Sequence, residues 1–260
     1  KLLTKNRRVI RQKVGATLSL VKVLARNARR QRDIKLPARL LTDVPDEILR
    51  NPDIDIVVEL IGGYEPARSY ILKAMEAGKD VVTANKALLA VHGEEIFSRA
   101  QRHGIDIGFE ASVGGGIPII RTLKEGLAGD RNRSLFAILN GTCNYILTTM
   151  EEKGESFHQA LAHAQQLGYA EADPSFDING IDAAHKLAIL VLLAFGTRVK
   201  LKDIYTEGIR HISGMDMTYA RELGYRIKLL AIARHEDGKI EARVHPALVP
   251  VHHPLASVRG

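Results

Sequence analysis

The segment GYAEADPSFDINGIDAAHK, residues 168–186, holds the densest set of groups able to do chemistry. Glu171, Asp173, Asp177, Asp182 and Lys186 all fall within it. Asp182 and Lys186 are four positions apart, so on a helix they share one face. The chain continues as LAILVLLAF, apolar on nearly every side. A charged pair on the first turns of a buried helix needs partners or a ligand. Carboxylates gathered around one ammonium suit a small zwitterionic substrate, with the acids for its amine and the lysine for an oxygen. The ordinary alternative is an acidic loop followed by an ion pair on a solvated face. The spacing does not match a calcium-binding loop.

Three further motifs carry candidate groups. VVTANKALLA sets Asn85 and Lys86 directly after a strand pattern, at a helix start, where the helix dipole and an ammonium together favour an anion or a polarised carbonyl. EASVGGGIP, residues 110–118, offers one carboxylate and three consecutive glycines. Glu110 and backbone carbonyls of that turn can hold a monovalent cation, although composition alone favours a plain tight turn. NGTCNYI, residues 140–146, contains Cys143, the only cysteine. With no histidine near it in sequence, that cysteine reads as an inert buried thiol rather than a nucleophile.

These groups need elements to position them. An amphipathic helix pattern runs from the start of the chain to Gly15, and a strand is expected at 18–24 with Arg26, Asn27, Arg29 and Arg30 at its end. A short helix at 46–50, capped at Asp43, comes before a buried strand at 54–61 that ends at Gly62 and Gly63. Then come a helix at 66–77, a strand at 80–83, a helix at 86–103 and a strand at 105–110. This alternation is the signature of a doubly wound, Rossmann-type parallel sheet, whose ligands sit at the carboxyl ends of the strands. Candidate cofactor contacts are therefore Arg26, Gly62, Gly63, Thr83 and Lys86. A basic residue with no acid beside it after the second strand favours NADP over NAD. The GxGxxG fingerprint is absent, and the chain opens within a helical pattern, so it reads as a piece of a longer protein lacking the first strand and glycine loop.

Beyond Glu110 the pattern changes to a mixed α+β domain. Helices are expected at 117–126, 145–153, 157–167, 181–195 and 216–223, and strands at 135–140, 204–212, 225–235 and 240–251. Asp237-Gly238 provides a hairpin turn between the last two. The expected domains are thus 1–110 for the cofactor and 111–260 for catalysis and dimerisation.

Composition sets outer bounds. In 260 residues, 37 Lys and Arg against 30 Asp and Glu give a formal net charge of +7. Thirteen Lys and Arg but only one acid, Asp33, lie between Lys1 and Arg39. That segment has no aromatic residue to stack on a base, which disfavours nucleic acid as a partner. A single cysteine and the lack of a long apolar run point to a cytoplasmic protein without a disulfide or membrane span.

VVELIGG, VVTANKALLA, FEASVGGGIPII, LNGTCNYIL, LGYAEADPSFDINGIDAAHKLAIL and GIRHI stand in an order that resembles the homoserine dehydrogenases. The resemblance implies an NAD(P)-dependent enzyme interconverting L-homoserine and L-aspartate 4-semialdehyde, working as a homodimer in threonine and methionine biosynthesis. It implies that Lys186 is the acid/base lysine, that Glu171 binds the substrate amine, and that Asp177 and Asp182 are substrate-side acids. Lys86 matches a lysine near both nicotinamide and substrate. Glu110, Val113, Gly115 and Ile117 match a sodium loop, reversing the tight-turn preference. Two other readings remain at this stage: a different amino-acid or semialdehyde dehydrogenase of the same fold, and a non-catalytic basic module that binds nucleic acid.

Overall fold

The computed structural model describes residues 2–27 and 36–259, and the chain divides into two compact units. One comprises Lys1–Thr83 and Glu95–Gly108; the other comprises Ala84–Glu94 and Phe109–Gly260. Within the expected first domain, 1–110, the stretch Ala84–Glu94 that carries Lys86 groups with the second unit. Arg29 and Arg30 lie outside the described residues.

In the first unit, helices α1 (Leu2–Lys5) and α2 (Arg7–Val14) end at Gly15, whose φ of 77° makes it a left-handed cap, with its N–H donating to the Arg11 carbonyl. Strand β1 (Val23–Leu24) pairs in parallel with β2 (Leu41–Thr42). The strand expected at 18–24 shrinks to the two residues that find a partner. Helix α3 (Asp46–Leu49) starts behind Pro45 with no side-chain cap, so Asp43 does not have the expected role.

Strands β3 (Ile56–Glu59), β4 (Asp80–Thr83) and β5 (Ile107–Gly108) form a parallel sheet in that order. Helix α4 (Ala67–Glu76) buries Ala67, Ile71, Ala74 and Met75 and packs on β3 and β4. Each large apolar side chain buried in this way stabilises the unit by about 1.5–3 kcal/mol. The expectation of a buried β3 is corrected: Ile56 and Val58 are exposed, as is Val82 beside them. Side chains alternate across a strand, so these three share the face opposite the buried Val81.

Helix α5 (Lys86–His103) begins in the second unit. Helix α6 (Ile119–Arg121) follows, and Thr122–Gly126 continues it as a π-turn rather than the regular helix expected. Then come β6 (Ser134–Ala137), α7 (Gly141–Lys153), α8 (Phe157–Gln166), α9 (Ser175–Ile178) and α10 (Ile181–Phe195). The unit ends with β7 (Tyr205–Thr206), α11 (Gly214–Glu222), β8 (Tyr225–Glu236) and β9 (Lys239–Pro250). The mixed sheet has the order β6-β8-β9-β7, with only β7–β9 parallel. Positive φ at Asp237 (50°) and Gly238 (73°) closes the β8–β9 hairpin as expected. Helix α10 packs on β8 and β9, burying Leu187, Ile189 and Val191. This packing holds the charged first turn of α10 in place.

Candidate active site

Backbone geometry brings the charged groups together. Gly180, with φ of 80°, lets the chain pass from α9 directly into α10. A Cβ there would stand 3.2 Å from side-chain carbons of both Thr206 and Val244. At the head of α7, Asn140 is the N-cap, its Oδ1 accepting from the Cys143 N–H at 2.7 Å. The other end of the same amide reaches two acids. Asn140 Nδ2 donates to Asp177 Oδ1 at 2.7 Å and to Asp182 Oδ2 at 2.9 Å.

Asp182 is the centre of the cluster. Its side chain is only 3% exposed and binds two ammonium groups, Lys86 Nζ at 2.7 Å and Lys186 Nζ at 2.6 Å. Lys186 also donates to the Leu139 carbonyl at 2.7 Å. Burial alone would raise the Asp182 carboxyl. The charge of Lys186 and hydrogen bonds from Lys186, Lys86 and Asn140 outweigh it and hold the carboxyl below its ordinary value.

Asp177 is held differently. It accepts from Asn140 and, at 3.4 Å, from Thr142 Oγ1, and it forms no ion pair among the described residues. Thr142 also donates to the Tyr169 carbonyl at 2.7 Å, which ties α7 to the segment leading to Glu171. Glu171 is exposed, and its carboxylate makes no hydrogen bond or ion pair among the described residues; only its backbone carbonyl is engaged, by Gln165 Nε2.

Lys86, Lys186, Asp182 and Asp177 thus meet, while Glu171 touches none of them. Sequence reasoning missed Asn140 as the shared donor, although its place before a helix pattern in NGTCNYI was a cap signal. Cys143 is buried, and its thiol donates to the Asp177 carbonyl. Burial, then the charges of Asp177 and Asp182, push that thiol far above its ordinary pKa, against the opposing charge of Lys186. This agrees with an inert cysteine.

The cofactor candidates of the first unit lie at the carboxyl ends of its strands. Buried Glu59 ends β3 and also went unnoticed in the sequence. Its Oε1 accepts from the N–H groups of Ile61 at 2.6 Å and Gly62 at 3.0 Å, and its Oε2 from Thr83 Oγ1 at 2.6 Å. Thr83 is buried and contributes by fixing this edge. Gly62 and Gly63 have φ of 80° and 68°, and a Cβ on either would meet nothing within 4 Å. The turn is an open, backbone-lined cradle of the kind a dinucleotide can approach closely. Arg26 is exposed just after β1.

Around the glycine turn, Glu110 Oε1 and Oε2 accept from the N–H groups of Ile120 and Arg121, at 2.9 and 3.1 Å. The carbonyl of Ile117 accepts from Ile119 at 2.8 Å. Among the described residues no group of three or more His, Cys, Asp or Glu side chains could hold a metal ion, and no helix is long and apolar enough to cross a membrane.

Comparison with known proteins gives consistent matches. The family model described as homoserine dehydrogenase matches residues 118–260, and the model described as homoserine dehydrogenase, NAD binding domain, matches residues 3–110. A homoserine dehydrogenase of Synechocystis sp. is 53% identical over 239 residues, covering 90% of this chain and 55% of that protein. The crystal structure of a homoserine dehydrogenase from Thiobacillus denitrificans superposes with a TM-score of 0.90 at 49% identity, over 100% of this chain and 60% of that one. A hyperthermophilic archaeal homoserine dehydrogenase in complex with NADPH has a TM-score of 0.70 at 31% identity, over 84% of this chain and 62% of that one. The chain spans little more than half the length of the curated relatives it matches.

Proposed function

The chain belongs to the homoserine dehydrogenase family, and on that premise we propose that it serves the interconversion of L-homoserine and L-aspartate 4-semialdehyde. One observation carries the reading. A single buried carboxylate, Asp182, holds two ammonium groups side by side at 2.7 and 2.6 Å. As the aldehyde becomes an alcohol, negative charge grows on its oxygen. Lys186 donates a proton to that oxygen, and the neighbouring Lys86 stabilises the charge until the proton arrives. In the reverse direction a neutral Lys186 takes the hydroxyl proton. Asp182 and the Leu139 carbonyl restrict the motion of Lys186, so its nitrogen is pre-aimed. Asp177, which forms no ion pair among the described residues, binds the substrate amine, and Glu171 adds a second carboxylate from the exposed segment before it.

The positive-φ turn at Gly62 and Gly63, held by Glu59 and Thr83, fits a nicotinamide dinucleotide at the strand ends, with Arg26 suited to a 2′-phosphate. That cofactor, when bound, supplies or accepts the hydride. A monovalent cation at the glycine turn would be held by Glu110 and by the carbonyls of Val113, Gly115 and Ile117. Each Glu110 oxygen, having accepted one backbone N–H, keeps a second lone pair. Such an ion would add charge and rigidity. We place the activity in the cytoplasm, with a second copy of the chain as partner.

The test is homoserine-dependent reduction of NADP, followed in absorbance, with a panel of other amino acids beside it. Lys186→Ala is expected to lose turnover by about 10²-fold or more, while NADPH titration by fluorescence stays unchanged. Glu171→Gln is expected to raise the KM for homoserine. Normal turnover in Lys186→Ala would refute the acid/base role.

A further inference from the structure

Lys86 has a long, flexible side chain that is 35% exposed, and its ion pair with Asp182 fixes it at only one point. A second contact comes from α9. The Lys86 ammonium stands over the face of the Phe176 ring, 5.6 Å from its centroid. On α10, the His185 ring meets Phe176 edge-on, with centroids 5.3 Å apart and planes at 81°. His185 is buried, and its Nδ1 has no hydrogen-bond partner among the described residues. The imidazole thus acts as a packing wall that sets the tilt of the phenyl ring. An aromatic face attracts a cation through its quadrupole, and edge-on aromatic packing is itself favourable.

We propose that Phe176 is a positioning residue for the Lys86 ammonium, holding it beside Asp182 and Lys186 through a cation–π contact braced by His185. This rests on the functional reading above only in assigning Lys86 a part in the reaction. Asp182 alone leaves Lys86 free to swing about the carboxylate oxygen. Carboxylate and ring together give the nitrogen two fixed points on two helices, and a leucine would fill the space without attracting the charge.

Two measurements test it. Phe176→Leu is expected to lower kcat for homoserine oxidation about five-fold, with the KM for homoserine within two-fold. Phe176→Tyr, which keeps the π face, is expected to restore most of the rate. Adding Phe176→Leu to Lys86→Ala is expected to cost nothing further, because the ring acts only through that lysine. Full activity in Phe176→Leu, equal loss in the Tyr and Leu variants, or an undiminished second loss in the double variant would overturn the proposal.

The second measurement needs no turnover. In NMR spectra of the selectively labelled chain, the Lys86 ε-methylene protons are expected to show an upfield ring-current shift, assigned through Lys86→Arg and lost in Phe176→Leu. An unshifted signal overturns the positioning role. A shifted signal in a chain that fails to oxidise homoserine overturns the functional reading instead.

Discussion

Two ammonium groups converge on Asp182, and an amide from Asn140 completes its coordination. Removing the carboxylate charge leaves two cations facing each other in a partly dry site. Asp182→Asn is expected to cost about 2–3 kcal/mol, less than for a fully buried pair because water still reaches Lys86. The effect depends on pH in a defined direction. The folded-state pKa of Asp182 lies below 3.8 for the reasons given above, and burial, aided by the charge of Lys86 and opposed by that of Asp182, keeps His185 below 6.5. A group whose pKa is depressed on folding contributes stability that is full above its unfolded value and is lost as pH falls through its folded value. The melting temperature is therefore expected to fall from neutral pH downward, through His185 first and Asp182 last. Asp182→Asn should start lower and flatten the acid end of the curve. Parallel curves for the two proteins in pH-dependent thermal melts would contradict this account of Asp182.

At the level of elements, the site depends on a backbone-to-backbone contact between the α9–α10 turn and the segment after β7. The Ile209 N–H donates to the Ile178 carbonyl at 2.9 Å. Gly208 lies so close that an added Cβ would stand 2.1 Å from that same carbonyl oxygen. Neither neighbour is the end of a flexible side chain, so the strain has to move one of the two segments. Gly208→Ala is expected to destabilise the chain by about 3 kcal/mol, the upper end for overpacking, and to impair turnover by displacing Asp177 and Asp182. Gly129→Ala, where a Cβ meets nothing within 4 Å, serves as the control and should melt like the parent. Equal melting of the two variants would show that the contact positions nothing.

For the molecule as a whole, α11, its C-cap and β9 expose Tyr219, Leu223 and Leu248 around a groove of about 270 Å³, lined also by Ile212 and Ile227. If two copies pair over it, sedimentation equilibrium is expected to give twice 28.6 kDa, and Leu223→Lys to return the single-chain mass. A single-chain mass for the parent at micromolar concentration would remove the homodimer from the proposal. The net charge of +7 favours neither outcome.

The sequence by itself marked several elements and the charged groups from which the candidate site is built. Local periodicity marked β4, α5 and α10 at their observed bounds, because each pairs a strong apolar pattern with clear stop signals. Lys86, Asp182 and Lys186 stood out by type and spacing, and the family resemblance supplied the roles proposed for them. Other features depended on which partner a segment meets in space. Residues 18–24 and 204–212 have strand-like patterns, yet each keeps only the two residues that find a hydrogen-bonding neighbour. The exposed face of β3 and the division at Ala84–Glu94 arise in the same way. So does the placement of Lys86, nearly a hundred residues from Asp182 in sequence yet in contact with it. Short-range pattern records what a segment is able to bury; only tertiary packing decides what it is buried against and which distant charges share a carboxylate.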